Sequence, residues 1–501
     1  MTGGGALVNR ELERKYEAVA YAAQANALSH PRHLATVATL FGLAPPAVAT
    51  CRVLEVGCSD GANLLPMAAA LPHARFIGCD LSGSAIAAAR QAANELGLAN
   101  ITFLQQDLAT LTDDPAAFDY IIAHGVYSWV PAPVRDALLA LAAHRLARNG
   151  VLFVSYNVYP GCHVREAAWR ILHHHVDRIA DPRAQLDAAR ALAALLAEPG
   201  VTQTDTDALL RQEFGKLAAK DDSALFHDDL ALPNDPVYFH EFAAHLARHG
   251  LTFLAEAKLS MMTAAGLASR MQQFLGGMDR LAREQYLDFA RMRRFRQSLV
   301  CRADAIAAGS ESATRVTGMH VAASMSLIRA AAEGKAFAEE SGAADVNLRV
   351  ARRVLQWLLS EAPRIVPFAE IAAWQRDHAG NDDAAARPLP ALLAEACYAG
   401  TVELYTHPPA LAAVAAERPV ASPVVRWQAR RQPSVTNLRH ETLRIDDPFA
   451  LALLVLLDGT RTRGDLVAAM ESHLPQGERA RTGERVATYL SHFAMHGLLA
   501  A

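Results

Sequence analysis

The residues whose types and spacing could do chemistry cluster first at Val53-Leu54-Glu55-Val56-Gly57-Cys58-Ser59-Asp60-Gly61. A β-branched and leucine run ends at Gly57, and an Ala/Leu/Met stretch with helical character begins just past Gly61. Glycine takes the backbone angles that a tight turn needs and, lacking Cβ, lets a ligand approach the chain. The free N–H groups at the start of the next helix suit a carboxylate or phosphate. Two more carboxylates stand where strands should end. Asp80 closes Phe76-Ile77-Gly78-Cys79-Asp80 and precedes Leu81; Asp107 closes Leu104-Gln105-Gln106-Asp107 and precedes Leu108. A carboxylate after a second strand can accept both hydroxyls of a ribose. The acidic positions 55, 80 and 107 stand at three successive strand ends, a stronger signal for a ligand site together than any one of them alone. A dinucleotide would call for Gly-x-Gly-x-x-Gly, and Gly57, Ser59 and Gly61 do not have that spacing.

Elements must hold these groups at one edge. Strands are expected at Arg52–Val56, Arg75–Cys79, Ile101–Leu104, Phe118–Ala123 and Val151–Ser155, with helices between them, notably Ser84–Leu96 and Val134–Ala147. Such alternation predicts an α/β fold with a parallel sheet covered on both faces. Leu251–Leu259 reads as a strand returning to that sheet, and residues 264–310 read as helical or mixed. The expected division is an N-terminal helical segment (1–45), a Rossmann-like core (46–262) with an insertion near 165–245, and a helical middle region and linker (263–345). A winged-helix-like domain (346–415) and a C-terminal helical domain (416–501) follow.

The Glu55–Gly61 turn resembles motif I of class I S-adenosylmethionine-dependent methyltransferases, with Ser59 where the family carries its middle glycine. The resemblance implies S-adenosylmethionine as cofactor. It makes Glu55 the residue that orients the loop and the methionine amino group, with Gly57, Ser59 and Gly61 packed against the ligand. Asp80 and Leu81 would lie at the ribose, Asp107 and Leu108 at the adenine, and His124 beside the cofactor.

The acceptor side is expected after the fourth and fifth strands. His124-Gly125-Val126-Tyr127-Ser128-Trp129-Val130-Pro131 offers the aromatic faces of Tyr127 and Trp129 to a sulfonium or an ammonium. Core packing is the competing reading of both rings. Ser155-Tyr156-Asn157-Val158-Tyr159-Pro160-Gly161 opens at the same edge and contributes Asn157, although Tyr-Pro-Gly is also good turn chemistry. Tyr127, Trp129 and Asn157 are the candidate catalytic residues. A hydroxyl or water near Tyr127 or Tyr156 could take the proton that an amine acceptor must lose.

These runs, with Leu225-Phe226-His227-Asp228-Asp229-Leu230 and Pro236-Val237-Tyr238-Phe239, look like the bacterial methyltransferase regulatory domain family. That family includes rickettsial protein lysine methyltransferases that modify outer-membrane proteins. Lys15–Tyr21 looks like the family's cofactor lid. The resemblance implies methyl transfer to lysine side chains of a protein. A methyltransferase for a small molecule or peptide natural product, or a non-enzymatic cofactor binder, are the alternatives.

Composition narrows the remaining classes. The chain has 501 residues, 52% hydrophobic and 20% charged, with a formal net charge of −4. That balance is globular, and it carries no basic stripe for nucleic acid. Six cysteines without a Cys-x-x-Cys pair predict free thiols rather than a disulfide framework. The N-terminus lacks a signal pattern, and Phe449–Leu457 is far short of the ~18 apolar residues that a membrane span needs. A cytoplasmic protein without membrane insertion is expected, with a homodimer compatible. His173-His174-His175 points in three directions on a helix, so no metal site is expected.

Overall fold

A computed structural model describes residues 23–111, 117–199, 204–306, 312–337, 345–380, 383–473 and 480–501. The lid expected at Lys15–Tyr21 lies outside the described residues.

Seven strands make the central sheet: β1 (Arg52–Val56), β2 (Arg75–Asp80), β3 (Ile101–Gln105), β4 (Phe118–Ala123), β5 (Leu146–Asn157), β6 (Leu251–Glu256) and β7 (Phe295–Arg302). Their order is β3-β2-β1-β4-β5-β7-β6. The first five are parallel, and β7 runs antiparallel between β5 and β6. Tyr120, Ile121, Ile122 and Ala123 of β4 are all fully buried, as expected for a strand covered on both faces. Crossover helices include Leu64–Ala70, Gly83–Glu95 and Ala132–Arg145. Ser82 starts the second of these by accepting from the Ala85 N–H at 3.2 Å. The chain reverses its direction of winding between β1 and β4. Strand ends open a crevice at such a switch point.

β7 corrects the sequence reading in two ways. It lies in the 264–310 stretch expected to be helical or mixed, and it carries the sheet beyond the 46–262 expected for the core. Its sequence, Phe-Arg-Gln-Ser-Leu-Val-Cys-Arg, hides a central strand behind polar residues. The structure satisfies them internally. The fully buried Arg296 donates to Glu256 Oε1 at 2.6 Å and to both Asp288 oxygens at 2.8 and 2.9 Å. It also reaches Glu284 Oε2 at 3.1 Å. Glu256 ends β6, while Glu284 and Asp288 belong to the helix Arg280–Arg291. One guanidinium thus ties two strands and a helix together.

The helices Cys162–Val176, Pro182–Ala197 and Asp205–Ala218 pack around a small apolar core of their own, including Leu172, Leu186 and Phe214. Further on, β8 (His320–Ala323), β9 (Val366–Pro367) and β10 (Val402–Tyr405) form a three-stranded antiparallel sheet. Its Val321, Val366 and Val402 are continuous with the main core. The last region has a separate core around Val425, Leu453, Leu466 and Leu490. It includes the hairpin β11 (Ser434–Thr436) and β12 (Thr442–Arg444). The cysteines are unpaired, as expected. Among the described residues no helix is long and apolar enough to cross a membrane.

Removing Arg296 would leave the buried Glu256 without its cation, and Glu284 and Asp288 with Arg293 alone. Arg296→Met should therefore destabilise the chain by ~3–5 kcal/mol, read as a lower denaturant midpoint. A midpoint within error of the parent would show that the network contributes nothing to stability.

Candidate active site

The loop after β1 is built from left-handed backbone. Gly57, Ser59 and Gly61 have φ of +72°, +47° and +78°. A Cβ on Gly61 would stand 2.6 Å from the Phe103 ring, and one on Gly57 would stand 2.9 Å from Val126 Cγ2. Ser59 holds an angle that costs a side chain-bearing residue ~1–2 kcal/mol. Its N–H is held in return by Asp80 Oδ2 at 2.9 Å, while Asp80 Oδ1 accepts from the Ser82 N–H at 2.9 Å. Asp80 therefore buckles the two loops together, and each of its oxygens retains acceptor capacity.

Glu55 sits on the floor of this crevice, 3% exposed. Burial pushes its carboxyl up to about 8, against a hydrogen bond from Asn63 that favours the anion. Its Oε1 accepts from Asn63 Nδ2 at 2.7 Å. Its Oε2 is buried and has no hydrogen-bond partner among the described residues. Asn63 is itself held from both ends of the chain. Its Oδ1 accepts from the Asn26 N–H at 2.9 Å and lies 2.8 Å from His440 Nε2. His440 stands at the turn between β11 and β12 with φ +66°. Burial, with Arg32 nearby, lowers its pKa to about 3, so the ring is neutral.

One cavity of about 1100 Å³ spans this crevice. Of the residues expected at the cofactor, Glu55, Gly57, Ser59, Asp80, Leu81, Asp107, Leu108 and His124 all line it. Gly61 does not; it lies behind the loop against Phe103 and Ala89. The Ser155 hydroxyl lies 2.9 Å from His124 Nδ1 and accepts from the Gly125 N–H at 2.7 Å. Burial lowers the His124 pKa to about 4. That makes it a weak proton acceptor at neutral pH.

On the acceptor side the structure separates the three candidates. Trp129 and Asn157 line the cavity, and Tyr127 does not. The short helical turn Tyr127–Trp129 sends the tyrosine into the core. There its hydroxyl lies 2.8 Å from His245 Nδ1 and its ring meets Phe242 edge-on at 5.1 Å. Burial raises its pKa to about 12. Tyr156 is also fully buried, with its hydroxyl 3.0 Å from Ser298 Oγ. Neither tyrosine is placed to take a proton from an acceptor. Asn157 is fixed by Ser128 Oγ on its N–H at 2.9 Å and donates from Nδ2 to Asn234 Oδ1 at 2.8 Å.

The opposite wall comes from the helical region and was mostly missed. Arg165, Glu213, Lys216, Lys220, His227 and Asp228 face the same space. Of these, only His227 and Asp228 were singled out from the sequence, as part of Phe226–Phe239. The rest sit on helices with no motif spacing, and only packing brings them to the cavity. Their charges are largely paired: Glu213 with Lys216 at 2.8 Å and Arg294 at 2.7 Å, and Arg165 with Asp229 at 2.6 Å.

Comparison with known proteins agrees with this layout. Residues 53–150 match the model of a methyltransferase domain. Residues 221–302 match a domain described as a predicted methyltransferase regulatory domain. Residues 417–489 match the C-terminal winged helix domain of PKMT. That match lies in the region expected to be a helical C-terminal domain, and not at 346–415. The helix–helix–strand order of 346–405 instead completes the sheet begun by β8.

The uncharacterized protein RP789 of Rickettsia prowazekii is 36% identical over 291 residues, 58% of this chain and 53% of that one. The uncharacterized protein RP028 of the same organism is 29% identical over 237 residues, 47% of this chain and 95% of that one. The chain thus matches about half the length of RP789. PKMT2 from Rickettsia typhi has the same fold, with a TM-score of 0.82 and 23% identity, covering 96% of this chain and 100% of that one. A second structure of PKMT2, in complex with AdoHcy, gives a TM-score of 0.81. Residues 53–150 are a methyltransferase domain.

Two substitutions test the cofactor end. Asp80→Ala should weaken S-adenosylmethionine binding by ~1–3 kcal/mol in calorimetry, the range for losing hydrogen bonds to a charged group. His440→Ala should weaken it too, by roughly threefold to tenfold, the effect of one neutral hydrogen bond. Unchanged affinity in Asp80→Ala would remove that carboxylate from the site.

Proposed function

We propose that this chain transfers the methyl group of S-adenosylmethionine to lysine side chains of a protein. The observation that carries this is the reach of the C-terminal region. The stretch that matches the PKMT winged helix domain contributes His440 and Glu441 to the wall of the same cavity that holds Glu55 and Asp80. The cavity exceeds the ~300–1,000 Å³ of ordinary small-ligand sites, so a cofactor and an inserted side chain fit together. The overall likeness to PKMT2 in fold and extent supports the same reading.

The donor set suits the cofactor. The unpartnered, buried Glu55 Oε2 would take the ammonium of its methionine part. Asp80 would accept the ribose hydroxyls, and Asp107 with Leu108 would border the adenine. Gly57 and Ser59 allow the backbone to lie against the ligand. Bound there, the cofactor supplies a methyl carbon on a cationic sulfur. Trp129 and Asn157 then form the side of the cavity where an acceptor nitrogen would align, and alignment supplies much of the rate. With both tyrosines in the core and His124 a weak base, the lysine gives its proton to water. The rate should accordingly rise with pH toward the ordinary lysine pKa of ~10.4.

The direct test uses purified protein, labelled S-adenosylmethionine and a lysate, read as methyl-lysine after acid hydrolysis. Acetylating the lysate's lysines beforehand should abolish the label. Label confined to small metabolites would overturn the reading in favour of a small-molecule acceptor. A second test concerns Glu55. At pH 6.5 its carboxyl is mostly protonated, because its raised pKa is about 8. A bound ammonium favours the anion, so binding should release a proton and tighten as pH rises toward 8. Calorimetry in buffers of different ionisation enthalpy should show this release in the parent and not in Glu55→Gln. A parent that releases no proton would remove Glu55 from contact with the ammonium.

A further inference from the structure

Outside the cavity, three potential ligand atoms converge at the junction of two helices. Asp136 lies on Ala132–Arg145; His245 lies on Phe239–Arg248, and His249 caps the end of that helix. Asp136 Oδ1 is 3.3 Å from His245 Nε2 and 2.9 Å from His249 Nε2, and all three atoms lie within 4.8 Å of one another. The four-residue spacing puts both imidazoles on one face of their helix. Metal–ligand bonds of ~2.0–2.2 Å in a tetrahedral site set ligand atoms ~3.3 Å apart, close to the two carboxylate–imidazole separations of 3.3 and 2.9 Å.

The surroundings match what such a site needs. His245 Nδ1 lies 2.8 Å from the Tyr127 hydroxyl. With an ion bound, donation from Nδ1–H to that oxygen would fix the ring and turn the Nε2 lone pair to the metal, the usual outer-shell support of a metal-bound histidine. The two histidines are shielded, with side chains 11% and 16% exposed, while Asp136 is 60% exposed, so an ion can enter and keep water in a fourth position. Two imidazoles and one carboxylate favour zinc or a neighbouring transition ion over magnesium or calcium, which prefer all-oxygen sites.

We propose that Asp136, His245 and His249 bind one divalent transition-metal ion of the zinc type, as a clamp between the two helices. The clamp bears on the acceptor wall. Tyr127 opens the turn that carries Trp129 to the cavity, and Ser128 in that turn holds Asn157.

The test uses the full chain without a histidine tag, stripped by chelator and titrated with Zn²⁺ or Co²⁺. The expected result is one ion per chain, bound more tightly than about 10 μM, with a visible Co²⁺ ligand-field band and a zinc-dependent rise in thermal midpoint. His249→Ala and Asp136→Asn change partly exposed groups at the helix surface. Each should keep the parent circular dichroism and weaken the ion by at least roughly tenfold. Three results would overturn the proposal. One is no saturable binding; another is binding undiminished in both variants, as an ion at His173–His175 would give. The third is variants that lower the metal-free midpoint while zinc changes nothing in the parent, the mark of a hydrogen-bonded triad alone.

Discussion

A single side-chain amide holds the crevice at the end of β1 together. Asn63 donates to the buried Glu55 on β1 and to Ser29, and its oxygen faces the Asn26 N–H and the His440 ring. Glu55 is costly to bury as an anion, and Asn63 meets only one of its oxygens. The other stays available to a ligand cation. The same contact fixes where the C-terminal hairpin sits, because His440 can reach Asn63 only when β11 and β12 lie against the crevice. A second anchor supports that docking: Glu95 accepts from Trp427 Nε1 and Arg431, both at 2.7 Å. The crevice and the C-terminal region are thus one mechanical unit, although 377 positions separate Asn63 from His440.

The loop itself rests on a compromise between sterics and hydrogen bonding. Ser59 adopts an angle that glycine would take more cheaply, and Asp80 retains it by accepting the Ser59 N–H. The substitution of the family's middle glycine is therefore accommodated by the backbone and leaves the turn intact. Between β5 and β6 a different solution appears. Polar residues of β7 run through the interior because Arg296 meets Glu256, Glu284 and Asp288 there. A buried ion cluster of this kind specifies one register, since a slip by one residue would expose every partner to an apolar neighbour.

The parallel half of the fold was legible in the sequence. Val53–Gly61, Phe76–Asp80 and Leu104–Asp107 each end a strand on an acidic or glycine signal, and eight of the nine positions expected at the cofactor line one cavity. Legibility failed where polar side chains are satisfied by distant partners. Phe295–Arg302 reads as mixed because the three carboxylates that neutralise Arg296 stand in other elements. It failed again at Tyr127 and Trp129. They are two residues apart in one helical turn; Tyr127 packs on Phe242 and His245 while Trp129 lines the cavity, a difference that no local pattern reveals.

By itself the sequence determined the order of the five parallel strands and the helices between them, the glycine-bearing turn after β1, and the carboxylates that stand at three strand ends. These follow from periodicities and short spacings that act within one or two turns of chain. The tertiary structure decided which aromatic lines the cavity, which helices close the opposite wall, and that Asp136 meets two histidines 109 and 113 positions away. It also decided that the C-terminal hairpin completes the crevice at Glu55. Those choices rest on the packing of surfaces far apart in the chain, and spacing along a sequence carries no distance across a core.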